Sequence, residues 1–119
     1  MKHLKSYKLF ESSGDYIKGV IKDILLPISD MDYEISVTED DKYQLIIRVV
    51  TWTDEPLLIT DDVKEEFITM KDYLESEGYN SIIARYWFPN SVSSSKPFDY
   101  FINNVEGSLS NLLFVAKKL

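Results

Sequence analysis

The spacing of apolar residues changes period between residues 17 and 37, and that change restricts the folds open to this chain more than any other feature. Ile17, Val20, Ile21, Ile24 and Leu25 recur at i, i+3, i+4, i+7 and i+8, which makes one apolar face on a helix. Tyr33, Ile35 and Val37 instead alternate with Glu34, Ser36 and Thr38, as in a strand with one wet face. The helix is expected over 15–26 with Ser13 or Asp15 as its cap, and Pro27 disfavours helical backbone at Leu26. The strand at 33–39 leads through the acidic turn Glu39-Asp40-Asp41-Lys42 into 43–52, which is rich in β-branched residues. The two strands are expected to pair as an antiparallel hairpin.

The same order then recurs. A loop at 53–59 with Pro56 leads to a second helix, with Thr60 as N-cap and Asp61 and Asp62 at the positive end of its dipole. Val63, Phe67, Met70 and Leu74 form its buried stripe, Tyr73 lies beside them, and Gly78 supplies the stop. Residues 80–88 are apolar on both faces, which assigns them to a central strand that Pro89 ends. Residues 90–97 read as a mobile surface loop, 98–105 as a short helix or strand, Gly107 as a turn and 109–117 as a final strand. The fold class is α+β in the order α-β-β-α-β-β: a two-layer sandwich of about four mainly antiparallel strands with two helices on one face. It resembles a ferredoxin-like sandwich, or a permuted one, with the order of the strands left open. Halves 15–52 and 60–117 each read helix, strand, strand, a weak structural repeat.

Composition narrows the function classes. A chain of 119 residues with 45% hydrophobic content forms one domain with its own core. The absence of cysteine removes disulfides, thiolate metal sites and thiol catalysis. No apolar run approaches the roughly 20 residues that cross a bilayer, so no membrane association is expected. The net charge is −7, and Arg48 and Arg85 are the only arginines. An anionic body with scattered cations repels phosphates, so direct nucleic-acid binding is not expected.

Candidate catalytic groups are sparse. The serines of 91–95 lack a base, since His3 is the only histidine, and they lack the glycines of a phosphate loop. Trp52 with Asp54, Glu55, Asp61 and Asp62, near Arg85 if the sheet joins them, is the one grouping that resembles a glycosidase cleft. Helix capping accounts for those carboxylates without chemistry. Glu39, Asp40 and Asp41 lack the glycine and distributed oxygens of a calcium loop, so a solvated turn is the reading, and no metal or cofactor is expected. Tyr79, Tyr86, Trp87, Phe88, Phe98, Tyr100 and Phe101 cluster around the serine run. Such residues serve cores first and interfaces second, and Trp87, Phe88, Phe98, Tyr100 and Phe101 are the candidate interaction surface.

The first eleven residues differ from the rest. Lys2, Lys5 and Lys8 make a basic segment that ends in Leu9-Phe10-Glu11, followed by the polar stretch Ser12-Ser13-Gly14-Asp15. This opening resembles the capsid-targeting leaders of internal head proteins in T4-like bacteriophages, which a maturation protease removes after a Leu-x-Glu or Ile-x-Glu motif. The resemblance implies a cut between Glu11 and Ser12, a leader at 1–11, a domain at 12–119 and a location in the virion head. It also implies the protease and head components as partners, with delivery into the host and binding of a host protein as further expectations. Leader removal takes away three lysines and one glutamate and leaves a body at −9. The alternative for the same segment is an ordinary first strand or helical turn, with Leu4, Tyr7, Leu9 and Phe10 packed on the core.

Overall fold

The computed structural model describes residues 14–41, 44–51, 56–89 and 92–118. Helix α1 spans Gly14–Ile24 and α2 spans Leu26–Ser29. The hairpin strands are β1 (Tyr33–Asp41) and β2 (Gln44–Thr51), and β3 (Leu57–Ile59) leads into α3 (Asp61–Ser76). Then come β4 (Tyr79–Trp87), β5 (Ser93–Pro97), α4 (Phe98–Asn104), β6 (Gly107–Leu109) and β7 (Asn111–Lys118). Five strands form one antiparallel sheet in the order β1-β2-β7-β4-β5, and β3 pairs with β6 in a small second sheet.

The helices cover one face of the large sheet. Inward residues Ile35, Val37, Leu45, Ile47, Val49, Ile82, Ala84, Tyr86, Leu112, Phe114 and Ala116 are buried, because strand alternation aims them all at the helical layer. Phe114 lies at its centre, with ring centroids 4.9 Å from Phe67 on α3 and 5.6 Å from Phe98 and Phe101 on α4. The expected stripe Val63, Phe67, Met70 and Leu74 is buried, and Ile17 and Ile21 of α1 join the same core. Thr60 caps α3 as its sequence implies, its Oγ1 accepting from the Val63 N–H at 3.2 Å. Gly78, at φ 98°, follows the end of that helix.

The architecture departs from the expected order in four places. Helical backbone does not end at Leu26: a second short helix starts there and carries Pro27 in its first turn, where a missing N–H costs nothing. Its reward is Ile28, which is fully buried. Residues 93–97, expected as a loop, pair with β4 as an edge strand, which polar residues and a terminal proline tolerate because one side needs no partner. Within the expected 53–59 loop, 57–59 pairs with β6, whereas Phe98–Asn104 is a helix, one of the two forms expected there. Finally β7, not β4, takes the middle of the sheet; β4 is interior but next to the edge. The expected capping side chains Ser13 and Asp15 lie outside what is described.

Candidate interaction surface

The second face of the large sheet carries no other element among the described residues. Its side chains follow from the register. One row runs Ser36, Arg48, Leu113, Arg85, Ser95 across β1, β2, β7, β4 and β5. The next runs Thr38, Ile46, Val115, Ile83, Pro97, and beyond it Lys117 stands between Gln44 and Ser81. On the other side of the arginine row lie Glu34 opposite Val50 and Trp87 opposite Asn111. Ile83 is 38% exposed and Val50 36%, Ile46, Val115 and Trp87 are half-buried, and only Leu113, between the two arginines, is close to fully covered.

Both guanidinium groups of the chain therefore stand on one surface. They flank β7, with Cα atoms about 10 Å apart at two strand spacings. Both side chains are exposed, and neither forms an ion pair with a described residue. In the sequence these arginines stand 37 positions apart, and nothing local announces that β7 enters between β2 and β4. Arg48 shares its face with Ile46 and Val50 and alternates with the core residues Ile47 and Val49, and that half of the pattern is visible in the sequence.

The expected aromatic surface divides. Phe98 and Phe101 are core residues, as are Tyr79 and Tyr86, so they cannot form part of a docking surface. Trp87 is half-buried on the open face, and Phe88 and Tyr100 are exposed, with Lys96 Nζ 5.0 Å from the centre of the Tyr100 ring. The core draws in Phe98 and Phe101 because α4 folds back over β4 and β5, a helix that the sequence left undecided. Burial pushes the Tyr86 phenol above its ordinary value, followed in effect by Tyr100, while a hydrogen bond with Ser94 pulls it down.

Most of the other candidates lie outside what is described. Leu9, Phe10, Glu11 and Ser12 lie outside the described residues, as do Trp52, Asp54 and Glu55, and so do the side chains of Asp40 and Asp41. Asp61 and Asp62 are exposed in the first turn of α3, and Arg85 is on the opposite face of the sheet from that helix. A cleft of about 350 Å³ between α3, β4 and the start of α4 holds Lys71, whose Nζ is 3.2 Å from Glu75 Oε2 and 3.9 Å from Asp99 Oδ1. The lysine charge is balanced there by these two carboxylates. No group of residues able to hold a metal ion occurs among the described residues, and no described helix is long and apolar enough to cross a membrane. No protein-family model, curated protein or solved structure matches this chain.

Proposed function

We propose that this chain is a non-enzymatic binding protein of a T4-like bacteriophage that works through the uncovered face of its sheet. The observation that carries the reading is the row Ile46, Val115 and Ile83 beside Leu113, aliphatic side chains on a face that water-facing antiparallel sheets usually fill with polar ones. The leader resemblance supplies the place. Residues 1–11 would carry the protein into the virion head, and the maturation protease would cut at Glu11, leaving a body that starts at Ser12.

A second reading keeps the same face and drops the packaging: a cytoplasmic accessory protein that binds and inhibits a host factor. The charge favours it, because cargo stored against DNA is better basic than anionic. Intact mass of the protein from purified phage particles separates the two. A chain beginning at Ser12 is expected for packaging, and a full-length chain confined to the host cytoplasm overturns it in favour of the accessory role.

At the level of fold, we read the four strands β1, β2, β7 and β4, preceded in pairs by α1 and α3, as a permuted ferredoxin-like sandwich. What supports this is the spatial order, which is the one produced when such a sandwich is cut open ahead of its first helix. Strand β5, α4 and β6 then form an insertion between β4 and β7.

A further inference from the structure

Charge is divided between the two sides of this molecule in a way that selects a partner. In a chain at −7, the described side chains of the open face include Arg48, Arg85 and Lys117 at its middle, and its acidic positions stand only on the outer strand β1, with Glu34 opposite Val50 and Asp41 opposite Gln44. The acids collect on the helical side, where Asp61, Asp62, Glu65, Asp72, Glu75 and Asp99 are all exposed. We propose that the open face docks an acidic segment of a partner protein, with aliphatic side chains on the Ile46–Val115–Ile83 row and carboxylates on Arg48 and Arg85 across Leu113. This rests on the binding role given to that face above.

The alternatives fit the surface less well. Single-stranded nucleic acid needs successive aromatic platforms, and among the described residues this face has Trp87 alone, half-buried, on a body that repels phosphate. A second copy, stacked face to face, brings four guanidinium groups together at the middle of the face, while the acidic positions of each copy stand on its outer strand β1. The basic segment 1–11, with three lysines and one glutamate, has the wrong sign. A carboxylate-bearing protein segment satisfies both arginines, whose planar forks take carboxylates in bidentate fashion, and covers the aliphatic row at once.

The test is selection of short peptides from an unbiased random library on the immobilised full chain. Amide-shift mapping and titration of the selected peptides then follow. Enriched sequences are expected to combine Asp or Glu with aliphatic residues and to shift resonances of Ile46, Arg48, Ile83, Arg85, Leu113 and Val115. The doubly reversed variant Arg48→Glu with Arg85→Glu, shown by circular dichroism to be folded, should bind them about ten-fold more weakly. Raised salt should weaken the wild-type complex in the same direction. Neutral or basic peptides that map to the open face overturn the acidic partner and leave the binding face standing. Absence of enrichment, or shifts confined to the helical side, overturns both. Tighter binding of oligothymidylate than of any selected peptide, or self-association through the open face, also overturns the proposal.

Discussion

At the residue scale, three side chains show how local chemistry is settled. Thr60 has extended backbone at φ −102° and ψ 171°, and its hydroxyl satisfies an N–H that the first turn of α3 leaves without a partner. Thr60→Ala should cost about 1 kcal/mol in urea unfolding. The Tyr73 hydroxyl is the contrary case, a buried group with no hydrogen-bond partner among the described atoms. Burial is the main reason its phenol ionises well above the ordinary value of 10, with Glu77 next. Tyr73→Phe should raise stability by about 1 kcal/mol, since it removes an oxygen that folding strips of water. A fall in stability on that change would show a hydrogen bond to solvent or to another group. Phe114 is the third: its ring meets Phe67, Phe98 and Phe101, so Phe114→Ala should cost about 3–5 kcal/mol.

At the element scale, what was legible followed from periodicity. The β1–β2 hairpin and α3 occupy nearly the expected residues, because each has a long run of one apolar repeat and, for α3, a cap and a stop. Elements too short to carry a period were not legible. Strands β3 and β6 have three residues each and exist because they pair with one another. Strand β5 reads Ser-Ser-Ser-Lys-Pro, which has no strand propensity; it forms because the free edge of β4 offers backbone partners at Ile83 to Trp87. Helix α4 is decided by the burial of Phe98 and Phe101.

At the scale of the whole molecule, two properties emerge that no element has alone. The first is alkaline sensitivity. Tyr73, Tyr79 and Tyr86 all have phenols raised by burial, so the folded state favours their protonated forms. The unfolded chain releases these protons from about pH 10 upward, and the folded one later. Their contribution is complete below pH 10 and is lost as pH rises through the folded values. Thermal unfolding followed between about pH 8 and pH 11 should show a midpoint that is flat with respect to these groups and then falls. The second is the relation of residues 1–11 to the body. Under the packaging proposal Glu11→Ala should abolish maturation cleavage and leave urea unfolding unchanged. Loss of stability on that change would place the segment in the core.

The sequence by itself determined the α+β class, the hairpin, the capped second helix and which faces of those elements are apolar. These are properties of repeat and of residues within a turn of one another. Tertiary structure alone decided that β7 enters between β2 and β4, and with it that Arg48 and Arg85 flank Leu113 on one surface. Strand order is a choice among long-range pairings, and the energy that makes it is shared by the whole core. No local window holds it, and the aromatic cluster misled for the same reason. Residues near in sequence were sorted by packing into core (Phe98, Phe101) and surface (Phe88, Tyr100), while two arginines far apart were brought to one row by backbone hydrogen bonds.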